Sequence, residues 1–306
     1  MTARFPDVLM YHYVRHGTAR PAVGYRAMDP ATFAAQLDDV CTTRTPVGWP
    51  AVRAALDGGP SLPADAVLLT FDDGLVDHHR VVLPALAARG LPAIFFVLVR
   101  DPGDGLAVGH ALHVLQAALG AKSLRQAVVE RLAPADAARY HRLETAMQSR
   151  LPSDSDDVWK RPLQRELAQA AAPVLATLVA EHLGPPRDVA AVLYLSRGQL
   201  EDLVDAGMTL GGHGVDHPWL DHAGSDVVQA EIAGSAELLA GFGAAPWPFA
   251  YPYGGVPARP DLVLGAAGFG AAFTTDPHER TDRFRIGRFD ADELGSRPSL
   301  AMDGLR

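Results

Sequence analysis

Two short stretches of this 306-residue chain hold residue types at spacings that suit hydrolytic chemistry. In Thr70-Phe71-Asp72-Asp73-Gly74, two adjacent carboxylates follow the apolar run Val67-Leu68-Leu69. Neighbouring residues at a strand end point in different directions. One Asp can therefore bind a cation while the other stays free beside it as a base, its pKa set by the ion and by burial. By itself Asp-Asp-Gly reads more readily as a turn. The second stretch is Gly211-Gly212-His213-Gly214-Val215-Asp216-His217-Pro218, again after an apolar strand. A four-residue interval puts two imidazoles on one face of a single helical turn, close enough to chelate one ion, and the glycines leave room for it. Two nitrogens and one carboxylate oxygen with open positions suit Zn²⁺, Fe²⁺ or Co²⁺ better than Ca²⁺ or Mg²⁺. Neither stretch is specific alone, and their shared placement at strand ends raises the odds that they form one metal site.

A third segment, Ala250-Tyr251-Pro252-Tyr253, completes a pattern. With Thr-Phe-Asp-Asp-Gly and His-x-x-x-His before it, in that order, the chain resembles the polysaccharide deacetylase, or NodB-homology, family over roughly residues 5–100 and 190–292. The resemblance implies an α/β fold of the deformed (β/α)7-type barrel kind. The implied reaction removes an N-acetyl group from an amino sugar or related carbohydrate, releasing acetate and a free amine. It also implies that Asp73, His213 and His217 hold one divalent metal, Zn first, with Fe, Co, Ni or Mn as alternatives. Asp72 is then the general base for the attacking water, which the metal acidifies while it polarises the acyl carbonyl. A backbone N–H at Tyr253 supplies the other half of the oxyanion site, and Pro252 fixes the turn that presents it.

The departing amine needs a general acid, usually a histidine. After Tyr253 the chain offers only His278, in a turn-like Asp276-Pro277-His278, whereas Val8-Leu9-Met10-Tyr11-His12-Tyr13-Val14 puts His12 at the end of the first expected strand. This looks like the permuted subgroup that includes the poly-N-acetylglucosamine deacetylases, whose catalytic histidine sits in such an N-terminal Tyr-His segment, so His12 is the expected acid. One departure stands out. The family's third motif usually begins with an arginine that pairs with the base, and here that position is Ala250. Arg288, in Arg285-Ile286-Gly287-Arg288-Phe289-Asp290, is the candidate to supply the charge from another direction. The same Arg-x-Asp pattern recurs near the C-terminus of similar deacetylases. Asp77 reads as a helix cap, with His78 and His79 as surface residues behind it. Tyr251, Tyr253, Trp219 and Trp247 are candidates for stacking on a sugar face.

The elements that must position these groups are short β-branched or aromatic runs, each followed by a helical pattern, which signals a parallel sheet. Strands are expected at 8–11, 67–71, 93–97, 191–195, 208–211, 248–251, 271–275 and 285–289, and helices at 30–40, 79–89, 197–206, 226–239 and 260–267. Catalytic residues in such folds gather at the carboxyl ends of strands. The rhythm breaks at 101–188, a helix-period stretch punctuated by Pro134, Pro152, Pro162, Pro173 and the polar run 153–157. It reads as a helical insertion in a β/α barrel formed by 1–100 and 189–306, placed over the active site or at a subunit interface. A homo-oligomer through this insertion is one expectation, and His110, His113, His141 and His182 within it could be ligands but are expected to be solvated or capped.

Bulk properties narrow the partners. With 48% hydrophobic and 21% charged residues the chain is an ordinary folded protein. A net charge of -9 and the lack of any Lys/Arg run argue against nucleic acid or an anionic polymer. Cys41 is the single cysteine, which leaves no intrachain disulfide. No run of about 20 apolar residues could span a membrane, and the N-terminus shows no leader pattern, so the expected location is cytoplasmic. A cytoplasmic site favours a small amino sugar or oligosaccharide, free or carrier-linked, over an extracellular polymer. The rival readings are a deformylase or other amide hydrolase acting on a small metabolite, and a non-catalytic member that binds glycan.

Overall fold

In Asp7–Tyr11, Ala66–Phe71 and Ala93–Val97 every residue is buried, which is how strands covered on both faces read. The computed structural model describes residues 5–100, 102–148, 158–299 and 302. Its strands are β1 (Asp7–Tyr11), β2 (Thr45–Pro46), β3 (Ala66–Phe71), β4 (Ala93–Val97), β5 (Thr209–Gly212), β6 (Trp247–Ala250), β7 (Phe269–Phe273), β8 (Arg280–Asp282), β9 (Arg285–Ile286) and β10 (Phe289–Asp290). They form one sheet in the order β10-β1-β3-β4-β5-β6-β7-β9-β8, with β2 beside β3. Every pairing is parallel except β8 with β9. The sheet curls into a half-barrel without closing, and helices cover it, as the implied deformed barrel requires.

Helices α1 (Pro30–Thr43), α2 (Trp49–Leu56), α3 (Leu83–Ala87), α10 to α12 (Arg197–Asp205, Ser225–Ala240, Pro260–Ala266) return the chain between strands. Leu37, Leu86, Leu203 and Ile232 pack from them onto the sheet's Leu9, Leu69, Phe95 and Phe249 in one continuous core. Between β4 and β5 lie α4 (Val108–Leu119), α5 (Ala121–Arg131), α6 (Pro134–Gln148), α7 (Arg161–Gln164), α8 (Ala168–His182) and α9 (Pro186–Leu193). These bury a second core around Leu112, Leu115, Val128, Leu163, Leu175 and Leu178. Asp101, Pro152 and the run 153–157 lie outside the described residues. Among those described, no helix is long and apolar enough to cross a membrane.

Several local expectations are corrected. Residues 191–195 are no strand: α9 runs to Leu193, burying Val189, Ala190 and Leu193 while Val192 faces solvent. Periodicity alone cannot separate so short an apolar run from a helix. Pro173 ends nothing and sits inside α8. The expected helix at 79–89 begins instead as a π-turn, His78–Val82, in which the Leu83 N–H donates to the His78 carbonyl, before α3. The expected strand at 285–289 is two strands. Gly287 interrupts it, where a Cβ would fall 2.0 Å from the Asp276 carbonyl oxygen, so only glycine fits. At that break the chain leaves β7's side of the half-barrel and joins β1, carrying Arg288 across the open seam.

Candidate active site

Strand register brings distant residues to one level. Tyr11 pairs with Phe71, Phe71 with Phe95, and Val97 with Gly212. The residues just past these strands, His12, Asp72 with Asp73, and His213, therefore emerge together at the carboxyl edge, where β/α folds place their sites. Beyond that edge the backbone leaves ordinary geometry. Asp73, His217 and Tyr253 have φ of 80°, 59° and 56°, three of the four described non-glycine residues with positive φ. Backbone strain of this kind gathers at functional sites.

Asp73, His213 and His217 offer one ligand atom each, all within 4.8 Å of one another. Asp73 Oδ1 is 3.4 Å from His213 Nε2 and 3.4 Å from His217 Nε2, and the two nitrogens are 3.2 Å apart. His213 Nδ1 donates to the Ala250 carbonyl at 2.8 Å, which leaves Nε2 as the ring atom facing the centre. Asp73 Oδ1 is buried with no hydrogen-bond partner among the described residues. Burial alone would raise the Asp73 carboxyl, but His110 foremost, then His213 and His217, hold it well below the usual carboxylate range. Burial pushes His217 well below its ordinary value, so it is a neutral imidazole with a lone pair to give. A buried orphan carboxylate oxygen and two imidazole nitrogens around one point fit a divalent cation of the zinc class.

Asp72 is separate from this set. The Arg288 guanidinium grips it with a two-pronged fork: Nη1 donates to Oδ1 and Nη2 to Oδ2, each at 2.7 Å. Arg288 is wholly buried and steadied by the Thr274 carbonyl and Thr70 Oγ1, which accept from Nε and Nη1. Burial works to raise the Asp72 carboxyl, and Arg288 first, then His213, outweighs it and keeps the pKa below the ordinary range. Asp72 Oδ2 lies 3.9 Å from His12 Nε2 on one side and 4.0 Å from His213 Nε2 on the other. Ala250 occupies the position where the resemblance would place an arginine, and its carbonyl orients His213.

Surrounding groups complete a cavity of about 390 Å³, lined from the barrel side by His12, Trp219 and Tyr253 and from the insertion by His110, Lys160 and Gln164. Trp219 and Tyr253 stack 4.8 Å apart with planes 6° from parallel. Tyr251 is fully buried, its hydroxyl given to the Phe284 carbonyl, and Trp247 sits at the other end of β6, so neither offers a free stacking face there. His278 lies in an exposed turn.

Other expectations fail for reasons of packing. His78 is not a surface residue: its ring is fully buried against Phe71 and Phe95, and Nε2 donates to the His12 carbonyl at 3.0 Å. Burial pushes its pKa down to about 4. Asp77 makes no capping bond and instead accepts from Arg15 Nε at 2.6 Å. Of the four histidines expected to be solvated or capped, His141 and His182 are exposed. His113 instead stacks on Tyr25 in the cavity wall, and His110 is buried with Nε2 3.1 Å from Asp73 Oδ2. Glu231 of α11 has no sequence signal, yet its carboxylate accepts the N–H groups of Val215 and Asp216 and pins the loop that carries His217.

A family model described as polysaccharide deacetylase matches residues 59–130 and 161–272, more than half of the chain. The match starts later than the expected 5–100 and runs into the helices between β4 and β5, so His12 and Arg288 lie outside it. No curated protein matches in sequence. Among solved structures the chain is similar to the Streptococcus pyogenes deacetylase PplD in complex with acetate, at 16% identity and TM-score 0.56, covering 97% of this chain and 96% of that one. It is similar to a de-N-acetylase from Aggregatibacter actinomycetemcomitans at 14% identity and TM-score 0.55, covering 93% and 95%. IcaB from Ammonifex degensii matches at 20% identity and TM-score 0.53, covering 97% and 95%. At these identities the likeness is one of fold.

Proposed function

The chain belongs to the polysaccharide deacetylase family and is a hydrolase of amide C–N bonds, and from that premise we propose that it removes the N-acetyl group of a small amino sugar with a bound zinc ion. The observation that carries the reading is the separation of two neighbouring carboxylates: Asp73 faces two imidazoles, while Asp72 is held apart by Arg288 next to His12. Asp73, His213 and His217 would hold the ion. When bound, it supplies polarisation of the acyl oxygen and acidifies water, which lets so weak a base as the ion-paired Asp72 accept the proton.

The protein's own groups do the rest. Arg288 keeps Asp72 ionised and fixes both its oxygens, so its free lone pairs face the cavity. As water attacks the acyl carbon, Asp72 takes its proton, and the Tyr253 backbone N–H donates to the oxygen on which charge develops. His12, beside Asp72 Oδ2, protonates the amine nitrogen as the C–N bond breaks, leaving acetate and a free amine. An acid supplied from the N-terminal strand is the arrangement of the permuted subgroup, to which we assign this chain. The stacked Trp219 and Tyr253 offer an aromatic platform for a sugar ring, and a cavity walled by the insertion suits one or two sugar units better than a long chain.

Acetate release from N-acetylated mono-, di- and oligosaccharides, free and nucleotide-linked, tests this with the zinc-loaded protein. Release from a short substrate, lost in Asp72→Asn, is the expected result. Equal rates for wild type and that variant would show that Asp72 is not the base.

A further inference from the structure

The first turn of α4, in the helical segment between β4 and β5, delivers a side chain to the candidate metal centre that no strand could supply. His110 is buried, and its Nε2 lies 3.1 Å from Asp73 Oδ2. Its other nitrogen, Nδ1, is 2.7 Å from the Tyr194 hydroxyl, and that hydroxyl accepts the Ala107 backbone N–H at 3.1 Å. Tyr194 follows α9, so the chain of bonds joins both ends of the helical segment to Asp73.

One order of donors and acceptors satisfies every atom: a backbone amide only donates, so Tyr194 Oη accepts that proton, and its own hydroxyl proton can go to His110 Nδ1. Nδ1 is then an acceptor, and the ring proton sits on Nε2, aimed at a carboxylate that only accepts. With Oδ2 of Asp73 engaged in this way, the carboxylate cannot rotate freely. Oδ1, the oxygen without a hydrogen bond among the described residues, is left facing His213 Nε2 and His217 Nε2. The site needs the same division of labour for one oxygen to be a ligand and the other a handle.

We infer that His110, locked by Tyr194, is a positioning residue that orients Asp73 as a metal ligand, which makes the helical segment a working part of the metal centre rather than only a cover. The inference rests on the reading of Asp73, His213 and His217 as a cation site. Partners of metal ligands that act in this way typically contribute about 10- to 100-fold in affinity.

The test is zinc affinity of the full chain, stripped with chelator and titrated against a chromophoric competitor, with melting of the metal-free protein measured alongside. Wild type should bind one Zn²⁺, and His110→Ala should bind about 10- to 100-fold more weakly. His110→Gln, whose amide can still donate to Asp73, should recover part of the loss. Tyr194→Phe should weaken binding by a smaller factor and should add nothing in the His110→Ala background, because its effect passes through His110. A purely structural role would lower the melting temperature of the metal-free protein and leave affinity unchanged in Tyr194→Phe and His110→Gln; that result overturns the inference. If His110→Ala does not fold, those two milder variants decide the matter. A wild-type protein that binds no zinc would sink the metal-site reading itself, a failure distinct from wild-type affinity in every His110 variant.

Discussion

Replacing Arg288 with alanine is the sharpest probe of how this site is charged. The fork to Asp72 consists of two charge-assisted hydrogen bonds at 2.7 Å between side chains that are 0% and 2% exposed. Removing one partner of such a pair leaves a charge in a dry interior, and the usual penalty is about 3–5 kcal/mol. Asp72 can escape it by taking up a proton, because burial, the largest influence on it, already favours the neutral form. The sign follows. In wild type the lowered pKa contributes stability that is fully present above the ordinary carboxylate range and keeps the base ionised through that range, and both are lost as pH falls through the folded pKa. In Arg288→Ala the acid limb of kcat/KM moves to higher pH. If about 3 kcal/mol of the penalty falls on the chemical step, kcat/KM at neutral pH drops about 100-fold. Arg288→Lys keeps the charge without the fork and should fall between the two. The assay is a pH profile of acetate release for all three proteins at saturating zinc, with melting curves to separate loss of fold from loss of charge. Full activity and an unmoved acid limb in a folded Arg288→Ala would refute the assignment.

Four further outcomes follow from the same geometry. His12→Asn should lower kcat by about 100-fold or more while zinc binding stays intact, since only proton delivery to the amine is removed; wild-type turnover would eliminate His12 as the acid. His213→Ala should abolish zinc uptake and with it the stabilisation that zinc gives wild type, about 4 kcal/mol at a thousandfold excess over Kd, read as the shift in melting temperature; an equal shift in the variant would remove His213 from the ligand set. Because burial holds His78 at about 4 in the fold against an ordinary value near 6.5, the unfolded chain binds its proton first, and stability falls as pH drops from 6.5 toward 4. That loss reaches about 2 kcal/mol at pH 5, so urea midpoints should decline more steeply for wild type than for His78→Gln, and parallel curves would contradict the assignment. Gly211→Ala places a methyl 2.5 Å from Phe96 Cδ1 and 2.9 Å from the Pro248 carbonyl. It should destabilise by about 1–3 kcal/mol and weaken zinc binding by displacing the end of β5; unchanged urea and zinc curves would count against this strand as the positioner of His213.

What could be read along the chain was whatever is encoded locally. Asp72, Asp73, His213 and His217 are adjacent or one turn apart and follow apolar runs, so residue type and spacing declare them, and the alternation of strand with helix declares the parallel sheet. Glu231 and the buried His78 carry no such local mark: a glutamate on a helix or a histidine behind a turn looks the same in sequence whether it meets solvent or a loop backbone. His110 stands 37 residues from Asp73 in a segment that reads as plain amphipathic helix, and only the docking of α4 onto the strand ends makes it a partner of the carboxylate. Arg288 is 216 residues from Asp72, and its reach depends on Gly287 breaking a strand so that the chain can cross the open seam. The sequence by itself determined which atoms could bind a metal and move protons. The tertiary structure decided which of them face one another, because burial and hydrogen-bond geometry belong to pairs of residues brought together by packing, and no single position along the chain contains that information.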